Sequence, residues 1–157
     1  MRLLALVTDA YGAGGGIAAV NRVLLSVLAA HPAIDRIDVR TRVPASGAEA
    51  IPGNVHARSP GGGGAGYVAA VGLDVVRGGY DGVLCGHLHL SPLAAVAAAR
   101  ARVPWVLVVH GIEAWGEPYW PPSQSGLALK ATARAVRTAD RVVSVSGLTK
   151  EIGRAHV

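Results

Sequence analysis

The stretch RLLALVTDAYGAGGGI, residues 2–17, decides the fold. Its opening apolar run, residues 2–8, ends in the turn-prone DAYGAGGG, which predicts a buried strand followed by a glycine-rich loop. Beyond the loop, Ile17, Val20, Leu24, Val27 and Leu28 recur at helical spacing, with Asn21, Arg22 and Ser26 between them, and His31-Pro32 stops the pattern. A strand that turns through glycines straight into a helix is the opening unit of an α/β layer fold.

Working outward, Ile37, Val39, Thr41 and Val43 alternate with Arg36, Asp38, Arg40 and Arg42, the period of a strand exposed on one side and lying near a sheet edge. Residues 44–66 carry proline and glycine without lasting periodicity and predict a long loop, enclosing at most a very short strand at 54–58. Residues 67–77 predict a helix ended by Gly78-Gly79, and 81–86 a short buried strand. Ser91 is expected to cap a helix that has Pro92 at its first position, and 105–109 is the most apolar strand of the chain. After the loop HGIEAWGEPYWPPSQSG, a basic helix over 127–138 and a strand over 141–146 complete the order. The elements predict an α/β fold: a Rossmann-like, doubly wound, mostly parallel sheet with helices on both faces.

Bulk properties narrow the partners. A chain of 157 residues fits one domain. The net charge of +5, from 15 Lys and Arg against 10 Asp and Glu, suits anionic partners: nucleotide phosphates or anionic lipid head groups. The arginines are scattered, not massed in one tract, so nucleic acid is not expected. Cys85 is the single cysteine, which excludes an internal disulfide and a C-x-x-C metal or redox site and fits a reducing cytoplasm. The apolar start is cut short by Asp9 before it reaches the length of a signal peptide or membrane span. The expectation is a cytoplasmic protein, soluble or in peripheral contact with the inner face of an anionic membrane.

In a doubly wound sheet, ligands bind beyond the carboxyl ends of the strands. Gly14, Gly15 and Gly16 follow the first strand and open a helix, where glycines let backbone amides approach a phosphate or a sugar hydroxyl; they serve a ligand-free tight turn equally well. The spacing gives neither a dinucleotide fingerprint nor a P-loop. His87 and His89 alternate on what is expected to be an extended segment, and without a third ligand of suitable spacing no metal is expected. His110 stands at the mouth of the sheet beside Gly111. There a histidine can donate to a phosphate, take a proton from a sugar hydroxyl, or simply cap loop backbone. Trp115, Tyr119 and Trp120 offer aromatic faces to sugar rings or lipid tails, or pack the loop. The hydroxyls of Ser144, Ser146 and Thr149 suit the cap of a following helix.

Taken together, GGGI (14–17), HLH (87–89), VVHGIE (108–113) and ADRVVSVSGLTKE (139–151) resemble, in order and spacing, the family 4 retaining glycosyltransferases with the GT-B fold. The resemblance implies that residues 1–150 are the N-terminal domain, holding the acceptor. It implies a glycine loop beside the phosphates of a nucleotide-diphosphate sugar, which acts as co-substrate with no separate cofactor. It places His110 at the transferred sugar as the catalytic residue, and His87, His89, Glu113 and Trp115 on the acceptor side. Members carry a second Rossmann domain with a basic pair for the diphosphate and a Glu-rich motif for the donor. Both lie outside this chain, so the chain alone is expected to be inactive, and its parent to be a hexosyltransferase-type enzyme. The final IGRAHV (152–157) is what a common sequencing adapter encodes in one reading frame (ATC GGA AGA GCA CAC GTC). Residues 151–157 are therefore expected to be an artefactual tail, and His156 is not counted as functional. A stand-alone nucleotide- or sugar-phosphate-binding module working with a separate subunit is the alternative. A Rossmann oxidoreductase or epimerase lacks its glycine spacing and its Tyr-x-x-x-Lys here.

Overall fold

The computed structural model describes residues 1–12, 14–111 and 126–145. The chain runs β1 (Arg2–Val7), α1 (Gly16–Ala29), β2 (Arg36–Thr41), β3 (Val55–Arg58), α2 (Gly63–Arg77), β4 (Gly82–Cys85), a 3-10 turn (Leu88–Leu90), α3 (Ser91–Ala101), β5 (Trp105–Val109), α4 (Gly126–Val136) and β6 (Arg141–Ser144). The six strands form one sheet in the order β3-β2-β1-β4-β5-β6, and every pairing among them is parallel. This is the doubly wound order, with its reversal of direction between β1 and β4.

Both faces of β1 are buried. Ala5 and Val7 join Leu25 of α1, Ile37, Val39, Leu84 and Val108 in one core cluster, while Leu4 and Leu6 join Tyr67 and Val71 of α2, Ala94 and Ala97 of α3, and Leu107 in the other. The alternation of side chains along a strand thus feeds two cores, one under α1 and one under α2, α3 and the partly buried Val136 of α4. No helix among the described residues is long and apolar enough to cross a membrane.

Four local expectations are corrected. First, of the apolar positions expected on α1, Leu24 and Leu28 pack half-buried against the core, but the fully buried residues are Ala18, Asn21 and Leu25, and Val27 is 64% exposed. In a helix this rich in valine and leucine several stripes look apolar, and contact with the sheet selects among them. Second, the charged side of β2 is not left to solvent. Asp38 accepts paired hydrogen bonds from Arg2 and from Arg36, and both nitrogens of the Arg40 fork reach Asp74 of α2. Burial would raise the Asp38 carboxyl, but the bonds from Arg36 and Arg2 outweigh it and hold the group at about 2. Third, Ser91 is the first residue of α3 and not its cap; the cap position is Leu90, because the 3-10 turn leads directly into the helix. Fourth, α2 begins at Gly63, within the tract expected to be loop.

Candidate functional site at the carboxyl edge of the sheet

Three exits meet around the switch point. The glycine loop leaves β1, His87 and His89 follow β4, and His110 follows β5.

The first part of the β1 exit is held in place by its neighbours. The Gly12 amide donates to Asp9 Oδ1 at 2.8 Å, Asn21 Nδ2 to the Asp9 carbonyl at 2.8 Å, and Arg22 to the Ala10 carbonyl at 2.9 Å. The Ser46 amide reaches the Tyr11 carbonyl from the far side at 2.7 Å. From there Gly14 and Gly15 run with φ of 92° and 109°, a region that only glycine enters without strain. Gly15 is the N-cap of α1, so no side chain caps the helix, and its first turn carries no acidic residue. Gly14, Gly15 and Gly16 are exposed, with no atom within 4 Å of where a Cβ would stand. The positive end of a fourteen-residue helix therefore opens onto the crevice with its amide groups uncapped by side chains, the arrangement that receives a phosphate.

The β4 exit is built on Gly86. Its amide donates to the Leu6 carbonyl at 2.8 Å, and a Cβ there would stand 2.7 Å from both Asn21 Oδ1 and Val7 Cγ1. No larger residue fits between α1 and β1. The Gly86 carbonyl lies 2.8 Å from His110 Nε2. A carbonyl only accepts, so this nitrogen carries a hydrogen, and in the neutral ring the lone pair sits on Nδ1. Nδ1 itself is buried, so proton exchange at His110 requires the ring to move. The backbone-holding role foreseen for this residue is present in the geometry.

His87 is extended (φ −163°, ψ 135°), and its ring accepts from the His89 amide at 3.2 Å, capping the 3-10 turn. His89 is thereby lifted out of the extended path expected for it, and the two rings stack at 5.0 Å between centroids. His87 also lies 6.4 Å from the ring of His110. The structure therefore gathers His87, His89 and His110 into one wall at the mouth of the sheet. Stacked rings turn faces, not lone pairs, toward each other, and among the described residues no group of three His, Cys, Asp or Glu side chains could hold a metal ion. Glu113, Trp115, Tyr119, Trp120, Ser146 and Thr149 lie outside the described residues. Ser144 ends β6, half-buried.

Two residues of the site escape a reading of apolar spacing. Asn21 is 1% exposed and joins the glycine loop to the β4 exit: Nδ2 holds Asp9, and Oδ1 lies against Gly86 with no hydrogen-bond partner. Arg22 beside it ties down Ala10 and pairs with Glu49 at 3.3 Å. The available signal was an amide placed three residues after Ala18 and four before Leu25, on a buried stripe where an amide needs a polar partner.

The model of a family described as glycosyl transferase 4-like domain matches residues 6–156. No curated protein matches the sequence significantly. Among solved structures, Anabaena Alr3699/HepE in complex with UDP superposes with a TM-score of 0.64 at 22% identity, over 99% of this chain and 40% of its own. Sucrose-phosphate synthase from Thermosynechococcus elongatus gives 0.68 at 16% identity, over 99% of this chain and 45% of its own. Phytolacca americana UGT2, complexed with UDP-2fluoro-glucose and pterostilbene, gives 0.59 at 10% identity, over 94% and 48%. At such identities the likeness concerns the fold, and the chain spans less than half the length of each of these three proteins.

Proposed function

Because the chain belongs to the glycosyl transferase 4-like domain family, we propose that it is the acceptor-side half of an enzyme that moves a sugar from a nucleoside-diphosphate donor to an acceptor with retention of configuration. The uncapped N-terminus of α1, reached through Gly14, Gly15 and Gly16 and facing the same edge as His110, carries this reading. Structural neighbours solved with UDP or a UDP-sugar analogue support a nucleotide-sugar partner.

In this reading the amides of the glycine loop and the positive end of α1 face the donor diphosphate, with further positive charge supplied by a second domain. No metal or other cofactor enters, because helix ends and basic side chains neutralise the diphosphate. His110, anchored through Nε2–H on Gly86 with its Nδ1 buried, stands in this reading beside the transferred sugar, where a turn of the ring that frees a nitrogen lets it exchange a proton with a hydroxyl. His87 and His89 form the acceptor wall, and Glu113 and Trp115 extend it by family resemblance. The hexosyl class of the donor and a place of work on the cytoplasmic side of a membrane belong to the same proposal.

The test is the product of the complete gene, incubated with a panel of nucleoside-diphosphate hexoses and candidate acceptors. The anomeric configuration of the product is then read by NMR. Retained configuration supports the reading and inversion contradicts it. Binding of nucleotide sugar without transfer would favour the stand-alone module.

A further inference from the structure

The helix layer formed by α2, α3 and α4 has a charge pattern that the sugar-transfer reading does not use. Within Gly63–Arg77, Ser91–Ala101 and Gly126–Val136 there is a single carboxylate, Asp74, which is 4% exposed and engaged by Arg40. The same helices and their C-terminal ends carry Arg77, Arg100, Arg102, Lys130, Arg134 and Arg137, all exposed. On α4, Leu127, Lys130 and Arg134 form a stripe opposite the buried Thr132 and Ala135, and Arg137 follows in the turn after the helix. Between the cations stand exposed aliphatic side chains: Val76 at 79%, Leu127 at 79%, Val96 at 60% and Leu73 at 53%. At the adjoining rim, Asp81 and Asp140 accept the backbone amides of Arg2 and Trp105.

Basic residues in the last turn of a helix offset its dipole, which accounts for Arg77, Arg100 and Arg134 singly. It does not account for Lys130 in mid-helix, for the missing exposed carboxylates, or for aliphatics among the cations. The contrast within the molecule is α1, whose outer side exposes Val23 and Val27 at 65% and 64%, while its one cation, Arg22, is bound inward to Ala10 and Glu49.

We propose that the α2–α3–α4 layer docks on an anionic phospholipid bilayer, its cations meeting head-group phosphates and its aliphatics entering the interface. Charge complementarity selects an anionic surface, and the aliphatics select lipid over nucleic acid, since the exposed face has no aromatic or amide side chains to stack on bases or read their edges. Most of the cations lie at the C-terminal ends of the helices, away from the glycine loop at the N-terminus of α1, so docking leaves the carboxyl edge open. The proposal rests on this layer alone and shares with the sugar-transfer reading only a place at a membrane, so vesicle binding and transferase activity are tested apart.

The experiment is co-sedimentation of the chain with vesicles of phosphatidylcholine alone and of phosphatidylcholine with phosphatidylglycerol, with circular dichroism melts confirming the fold of each variant. The chain is expected to pellet with the anionic vesicles only, less so as salt rises. Each interfacial cation contributes about fivefold. Lys130→Glu/Arg134→Glu/Arg137→Glu is therefore expected to weaken binding by about a hundredfold or more. Arg42→Glu/Arg58→Glu, outside the helix layer, should bind as the parent does, and Val76→Ser/Leu127→Ser should lose the salt-resistant part. Equal binding to neutral vesicles, undiminished binding of the triple variant, or binding to duplex DNA in place of vesicles would each overturn the proposal.

Discussion

Replacing Gly86 by alanine tests the packing on which the site is built. The added Cβ would stand 2.7 Å from Asn21 Oδ1 and from Val7 Cγ1, where ordinary contact begins at 3.4 Å. Neither neighbour can step aside cheaply: Val7 is fully buried, and Asn21 is 1% exposed and anchored to the Asp9 carbonyl. Overpacking of this kind costs roughly 1–3 kcal/mol. For a domain of this size each kcal/mol lowers Tm by about 2–4 °C, so the expected loss is on the order of 2–12 °C. Because the Gly86 carbonyl holds His110, the imidazole resonances of His110 should shift in heteronuclear NMR spectra of the same variant. The control is Gly72→Ala, on the exposed side of α2 with no atom within 4 Å of the new methyl, which should stabilise by about 0.5–1 kcal/mol. A Gly86→Ala protein that melts with the parent and leaves His110 unmoved would mean that Gly86 is not closely packed between Asn21 and Val7.

Removing the Asp74 carboxylate leaves the 12%-exposed side chain of Arg40 charged and without its fork partner, so Asp74→Ala should cost about 3–5 kcal/mol in urea unfolding. Replacing both by apolar residues of similar volume should recover most of that loss, and additive losses would contradict the pairing. Asp38 gives a pH dependence of definite sign. Its folded carboxyl is held at about 2, below its ordinary 3.8, so its contribution to stability is fully present above about pH 4 and fades as pH falls toward 2. Urea midpoints across that window should flatten in Asp38→Asn, and an unchanged slope would mean that the Arg2–Asp38–Arg36 contact does not hold the carboxyl down.

The strand–glycine–helix opening and the parallel order were legible because short apolar runs, turn residues and helical spacing are local signals; Val55–Arg58 showed only as a possible short strand within a loop, and its place at the sheet edge did not show. The glycine loop, His87, His89 and His110 were legible as candidates for a topological reason: each follows a strand. Their mutual arrangement was not. The stacking of His87 on His89 depends on a 3-10 turn that one histidine caps for the other, and the bond from His110 to Gly86 joins the exits of two strands that sequence spacing does not relate. Asn21 stayed hidden because the apolar pattern of α1 admits several stripes, and only the sheet chooses the one containing it. The charges of β2 looked like a solvated face because the Asp74 partner of Arg40 and the Arg2 partner of Asp38 lie 34 and 36 residues away.

The most direct measurement is release of nucleoside diphosphate from nucleoside-diphosphate sugars by the product of the complete gene, with and without His110→Ala. Acceptor-dependent release is expected, falling by about a hundredfold or more in kcat when the imidazole is removed, with the fold intact by circular dichroism. Release at the parental rate in His110→Ala would contradict the role given to this edge of the sheet.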